Sequence, residues 1–427
     1  MLDIKLIREH PEIVKNDLKK RREEEKIQWV DELLKYDKEW RQNINKINQL
    51  RQKRNEVTQK IAELKKKNKD ASDLLKEIKN IPDQIKKLEQ DAEKYKEKIT
   101  KILMQLPNIL DSSVPYGVDD HDNVEIRRWG KPLKFDFEPK NHLEIAENLG
   151  MIDSKRAAKV AGHGFFYIKD DLALLEQSLI RFTIDFMIKR GYIFVIPPYM
   201  LHKKPYLGVT DLEFFGDQLY KIEGEDLYLI ATAEHPLASM FMDEVIDKKD
   251  LPIKLVGLSP CFRKEVGAHG KYTKGLFRMH QFHKIEQFIF CLPKDSPKLH
   301  EELQKNSEDL YKALGLRYRV VNVCTGDIGI IASKKYDTEI LMADGQYREV
   351  GSNSNCTDYQ ARRLNIKFRE KPGQPPAGFV HTLNNTAIAT SRTLIGILEQ
   401  YQQKDGSVKI PNVLVPYMNG KKFLVKK

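Results

Sequence analysis

Ser259-Pro-Cys-Phe-Arg-Lys-Glu-Val-Gly-Ala-His-Gly-Lys-Tyr-Thr-Lys-Gly-Leu-Phe-Arg-Met-His-Gln-Phe-His-Lys-Ile-Glu286 is the densest polar stretch of the chain. It reads as a strand, a basic glycine-containing loop and a second strand. A basic loop held between two strands can lay a planar guanidinium against a phosphate and bond it through two donors at once. An ordinary exposed hairpin has the same outline, so the stretch alone does not choose. His280 and His283 fall on opposite faces of the second strand, an arrangement that argues against a shared metal.

Outward from this hairpin the texture is mixed. Leu172–Lys189 has helical periodicity, and Tyr192–Ile196 reads as a strand stopped by Pro197-Pro198. Leu227–Ile230, Ile285–Cys291, Tyr318–Val323 and Ile340–Met342 read as further strands, and Leu394–Gln402 as a late helix. Strands and helices do not alternate at regular spacing, so a doubly wound sheet is disfavoured. The expected class is α+β, with a largely antiparallel sheet flanked by helices. There is no GxxxxGK[ST] loop and no GxGxxG after a strand, so a bound nucleotide must be held by side chains.

The first hundred residues differ in kind. From Ile27 to Leu106 there is no glycine and one proline, Pro82. Trp29, Tyr36, Leu50, Val57 and Leu64 form one heptad series, interrupted at Asn43. Leu33, Trp40, Ile47 and Ile61 form a second, interrupted at Arg54, and together they make one seam. After a polar break at Lys65–Ser72 the seam resumes through Leu74, Ile78, Ile81, Ile85, Leu88, Ala92, Tyr95, Ile99 and Ile102. The spacing predicts an antiparallel two-helix hairpin reaching roughly 50 Å, with Pro82 weakening the start of its second helix. Between Ile27 and Gln105 there are 20 Lys/Arg and 14 Asp/Glu, a net +6 that is more than half of the whole chain's +11. A solvated coiled coil or dimerisation arm accounts for such a pattern as well as a polyanion-binding one does. The expected organisation is 1–106 with the hairpin at about 27–106, a linker at 107–125 and a catalytic domain at 126–427.

The basic excess points to a polyanionic partner, with tRNA, DNA and an anionic membrane surface all admitted by charge alone. No apolar run approaches a membrane span, and the start, with Asp3, Glu9 and Glu12, suits neither a secretory signal nor a transit peptide. Cys261, Cys291, Cys324 and Cys356 lie far apart without CxxC pairing. They are expected as reduced thiols of a cytoplasmic protein, without membrane association.

With these residues in view, the polar stretch resembles motif 2 of class II aminoacyl-tRNA synthetases in the form found in seryl-tRNA synthetases. Its Arg263-Lys-Glu-Val-Gly267 wording is nearest the archaeal and eukaryotic cytosolic members. Pro197-Pro198 is similar to motif 1 at a dimer interface, and Thr232-Ala-Glu234 to the loop that contacts the amino acid. Glu349-Val-Gly-Ser-Asn-Ser-Asn-Cys-Thr-Asp-Tyr-Gln-Ala-Arg-Arg363 is among the most distinctive stretches, and Val380–Leu394 resembles motif 3. The basic hairpin resembles the family's tRNA-binding arm, so the likeness spans nearly the whole chain. His283 replaces a common acid, Thr386 a common serine, and Pro82 interrupts an arm that is usually proline-free.

The resemblance implies a ligase that activates L-serine with ATP and transfers it to tRNA(Ser), with tRNA(Sec) as a second candidate acceptor. It implies Arg263 on the α-phosphate, Glu265 on the adenine amino group, Phe282 stacked on the adenine and Arg392 at the γ-phosphate. Lys264, Met279, Val350 and Gly351 complete the implied ATP site, and Glu349 and Ser352 are the implied Mg2+ ligands, with no zinc. Glu234 and Glu286 are the implied partners of the serine ammonium and side chain, helped by Thr232, Ala233, Arg263, Asn384 and Thr386. Lys53, Arg54 and Lys60 are the implied tRNA contacts, and the enzyme is expected as a homodimer. Rival readings are a carrier-protein ligase, which would lack the arm, a non-catalytic RNA-binding paralogue, which would lose motif arginines or acids, and a coiled-coil scaffold.

Overall fold

The computed structural model describes residues 1–210, 216–265 and 275–426. The loop residues Val266–Lys274 of the opening stretch lie outside the described residues. The chain divides into two compact units, Met1–Pro107 and Asn108–Lys427.

In the first unit, short helices α1 (Ile4–Glu9) and α2 (Pro11–Lys20) precede α3 (Ile27–Lys66), α4 (Ser72–Lys79) and α5 (Ile81–Gln105). At 40 residues, α3 is about 60 Å long, longer than its heptads alone indicated. It ends where the sequence turns polar: Asn68 takes a left-handed conformation at φ 50° and Lys69 N–H bonds Leu64 O at 2.9 Å, a turn that satisfies the last carbonyls. Pro82 lies in the first turn of α5, and the returning helix is broken at Asn80. The first turn has no intrahelical N–H acceptors, so proline is tolerated there. The seam packs as expected. Ile47, Ile81 and Ile85 form one cluster, and Val57, Ile61 and Ala71 another. Asp37 is buried beside it and is held by Arg8 (2.5 and 2.8 Å) and Arg41 (3.0 Å), as a buried charge must be.

The second unit is built on an eight-stranded sheet. In chain order the sheet's strands and the helices used below are β1 (Val124–Trp129), α6 (Asp170–Lys189), β2 (Ile193–Val195), α7 (Lys203–Val209), α8 (Glu234–Ser239), β3 (Ile253–Phe262), β4 (Gln281–Cys291), α9 (Ser296–Ala313), β5 (Tyr318–Asn322), β6 (Lys334–Leu341), β7 (Tyr347–Asn355), α10 (Tyr359–Leu364), β8 (His381–Ala389) and α11 (Thr390–Gln400). The strand order is β1-β5-β6-β7-β8-β4-β3-β2, antiparallel except for β2 against β3. The α+β expectation of a helical arm followed by a mostly antiparallel sheet is met.

The stretch read as a linker is laid along this unit. Asn108 N–H bonds Ile330 O at 2.8 Å, Asp111 N–H bonds Ser333 O at 2.9 Å, and Leu110 packs with Val323, Ile328 and Ala332. Its 107–125 polarity hid these backbone bonds.

Candidate active site

Strand alternation builds one wall of the site. On β4 the even positions Phe282, Lys284 and Glu286 face a cleft, while Ile285, Ile289 and Cys291 enter the main core. On β8, Asn384 and Thr386 face the cleft, whereas Asn385 bonds Leu303 O (2.7 Å) and Ser307 Oγ (3.0 Å) on α9. Two register shifts border the cleft, between Thr338 and Glu339 opposite Glu349–Gly351, and between Thr386 and Ile388. Each leaves one extra residue that re-aims its neighbours. Gly351 packs closely at the first: a Cβ there would lie 3.0 Å from Thr386 Cβ, so Thr386 would have to give way slightly.

The cleft encloses about 280 Å³. It gathers Thr232, Glu234, Arg263, Glu265, Met279, Phe282, Glu286, Glu349, Val350, Gly351, Ser352, Asn384, Thr386 and Arg392 of the expected site. Lys264 and Ala233 are not in its lining. Lys264 is exposed with Nζ 5.8 Å from the Tyr220 ring centre, and Ala233 is wholly buried in a smaller apolar core.

Part of the lining pairs cations with aromatic rings. The Arg263 guanidinium lies 5.4 Å from the Phe282 ring centre, and its Nε donates to Ala231 O at 3.2 Å. Arg392, 4.7 Å from the Phe277 ring centre, donates to Glu349 O at 2.9 Å and pairs with Glu349 Oε2 at 3.3 Å. Burial opposes charge on Glu349, but Arg392, Lys335 and Arg263 hold its carboxyl below the ordinary value. Glu265, at φ 50°, meets Arg278 at 3.3 Å. Glu349 and Ser352 offer hard oxygen donors of the kind Mg2+ takes, and Asp337 stands opposite Ser352 across the strand pair.

Two acids, Glu234 and Glu286, share the same lining. Glu286 is fully buried, with Lys284 Nζ at 2.5 Å and the Thr232 hydroxyl at 3.4 Å from its Oε2. Burial, then Glu286, push the Glu234 carboxyl up to about 7 against the pull of Lys284, Gln360 and Arg263. Glu286 Oε1 and Asn384 Oδ1 are buried with no hydrogen-bond partner among the described residues. Buried acceptors of this sort suit a small ligand rich in N–H and O–H. Lys284 was missed by sequence reading, although its place between Phe282 and Glu286 on one strand face was the signal. Gln360 lies within the quoted 349–363 stretch, but its contact with Glu234 at 2.9 Å spans 126 positions and left no local trace.

His280 accepts from or donates to Tyr220 Oη and bonds Arg263 O, each at 2.9 Å, while His283 meets Glu176 at 3.1 Å, so the two do not converge. That Glu176 contact, against a smaller opposing effect of burial, raises the His283 imidazole above its ordinary value. On the arm, Lys53 pairs with Glu77 at 2.7 Å, and Arg54 and Lys60 are exposed. All four cysteines are free and buried. Among the described residues, no helix is long and apolar enough to cross a membrane.

A helix-flanked antiparallel sheet whose cleft gathers Arg263 and Arg392 with Glu234 and Glu286 defines a class II synthetase core. Residues 219–401 match the model of the tRNA synthetase class II core domain (G, H, P, S and T). Residues 1–110 match the seryl-tRNA synthetase N-terminal domain. The serine--tRNA ligase of Methanocella arvoryzae is 55% identical over 99% of this chain and 100% of its own length. The seryl-tRNA synthetase of Pyrococcus horikoshii, solved in complex with ATP, superposes with a TM-score of 0.95 at 50% identity, covering 100% of both chains. The cytoplasmic serine-tRNA ligase of Naegleria fowleri, solved with AMP, gives 0.88 at 37% identity over 100% of this chain and 99% of that one. The chain belongs to the seryl-tRNA synthetase family.

Proposed function

We propose that this chain is a serine--tRNA ligase that works in two steps within one cleft. A serine carboxylate oxygen attacks the α-phosphorus of ATP, the bond to the β-phosphate oxygen breaks, and pyrophosphate leaves seryl-adenylate. A hydroxyl of the 3′-terminal ribose of tRNA(Ser) then attacks the seryl carbonyl, releasing AMP and a proton. Both steps need positioning and charge stabilisation rather than a protein nucleophile. The observation that carries this reading is the convergence on one cleft of Arg263 and Arg392 with Glu234, Glu286 and Lys284.

In this reading Arg263 clamps the α-phosphate, Arg392 meets the γ-phosphate, Phe282 stacks on the adenine and Glu265 accepts from its amino group. Glu349 and Ser352 would hold Mg2+, which supplies charge neutralisation at the phosphates. Glu234 takes the serine ammonium, while Glu286, Thr232, Asn384 and Thr386 meet the hydroxyl and the backbone groups. A pocket built to bond a hydroxyl rejects alanine, whose methyl leaves buried polar atoms unpaired. The arm holds tRNA by backbone and shape through cations such as Lys53, Arg54 and Lys60.

The same reading makes the enzyme a cytoplasmic homodimer. Support for the dimer comes from Ile188, Ile193, Ile196, Tyr199 and Met200, exposed apolar residues around the edge strand β2 and the end of α6. ATP–pyrophosphate exchange across the common amino acids, without tRNA, tests the assignment. Serine alone supports rapid exchange; equal exchange with alanine or threonine overturns the serine reading.

A further inference from the structure

Behind Glu234 stands a buried amide whose hydrogen-bonding groups are all engaged. Gln360, on α10, is 1% exposed. Its Nε2 donates to Glu234 Oε1 at 2.9 Å and to Val209 O at 3.3 Å. Its Oε1 accepts from the hydroxyl of the fully buried Thr382, on β8, at 2.7 Å. A side-chain amide has two N–H hydrogens and one oxygen, and the three neighbours use them in the one sense that works. Reversing the amide would set its oxygen against a carboxylate and a carbonyl, neither of which has a hydrogen to give.

A glutamate carboxyl rotates in a broad torsional well about its last bond. A donor on one oxygen therefore fixes the plane of the group and leaves the other oxygen for a ligand. Here the donor is itself fixed from two sides: Thr382 belongs to the sheet, and Val209 closes α7 and lines the cleft. The amide N–H also favours the charged form of Glu234 against burial and the nearby Glu286.

We propose that Gln360 is a positioning residue for the amino-acid substrate: its amide pins the Glu234 carboxylate so that Oε2 meets the substrate ammonium, and Thr382 and Val209 lock the amide in turn. The proposal rests on the reading of Glu234 as the ammonium partner. Methionine at 360 keeps the volume but removes the donor, and glutamate there would set two carboxylates together in the interior.

The test is pyrophosphate exchange with serine and ATP varied separately, on the full chain. Gln360→Met raises the serine KM about tenfold and leaves the ATP KM within about twofold, as expected for one lost hydrogen bond to a charged group. Thr382→Val moves the serine KM the same way by about threefold, and Thr382→Ser, which keeps the hydroxyl, restores it. The Gln360→Met/Thr382→Val pair is no worse than Gln360→Met alone, because Thr382 acts through the amide. A merely structural role would raise both KM values or make the pair additive, and either result overturns the proposal. So does an unchanged serine KM in Gln360→Met when Glu234→Gln raises it. An unchanged serine KM in Glu234→Gln itself overturns the reading of Glu234, and the clamp falls with it.

Discussion

Apart from the buried Asp37, the helices of the arm keep their charges at the surface, whereas the sheet unit draws charge into a cleft and buries it. Across the hairpin, Arg51–Glu89 and Lys53–Glu77 meet at 2.7 Å with about half of each side chain exposed. Such pairs contribute little and are screened by salt. In the cleft, Lys284 and Glu286 meet at 2.5 Å, with 10% and 0% of their side chains exposed. An uncompensated charge there is costly because water cannot replace the lost partner. The difference teaches where single substitutions act. Under the proposed function, cleft residues work singly and steeply, and arm cations work together through a sum of weak, salt-dependent contacts.

The largest effect that would sharpen this contrast is expected at the two cleft arginines. Arg263→Ala and Arg392→Ala each lower the rate of pyrophosphate exchange about 10²-fold, a loss of about 3 kcal/mol from an unmatched phosphate charge, in proteins that melt as the wild type does. Wild-type rates in either folded variant would break the assignment. A smaller effect, about tenfold, is expected with pH. Because Glu234 must be ionised to meet an ammonium and its carboxyl lies near 7, the serine KM falls as pH rises from 6 to 8 while the ATP KM stays flat. The sign for stability is opposite. A carboxyl raised in the folded state adds stability below its unfolded value and loses it as pH rises through about 7. Glu234→Gln therefore binds serine poorly yet melts higher than the wild type at pH 8. Calorimetry showing a lower melting temperature there would contradict the burial argument.

Much of the arm was legible because a coiled coil writes its packing into local spacing. Ile47, Val57, Ile61, Ile81 and Ile85 are buried where the heptads placed them. Pro82 also marked its own joint, at Asn80. The centre of the sheet was harder to read. β7 and β8 carry Ser-Asn-Ser-Asn and Asn-Asn-Thr, polar on both faces, because one face lines the cleft and the other bonds α9, as Asn353 does to His300 O at 3.0 Å. Periodicity of apolar residues cannot find such strands. The site was legible chiefly through resemblance. Of the residues it named, Arg263, Glu286 and Arg392 line the cleft and Lys264 and Ala233 do not, while Lys284, which it passed over, does.

The division of labour between cleft and arm is tested most directly on the full-length chain carrying Lys53→Gln, Arg54→Gln and Lys60→Gln together. Glutamine keeps helix propensity close to that of the basic residues it replaces. Serine-dependent pyrophosphate exchange and tRNA charging are measured side by side over a range of salt. The account predicts exchange within about twofold of wild type, charging down about tenfold at moderate salt, and a flatter salt dependence of charging. Charging at the wild-type level, or exchange falling in step with it, would contradict the account.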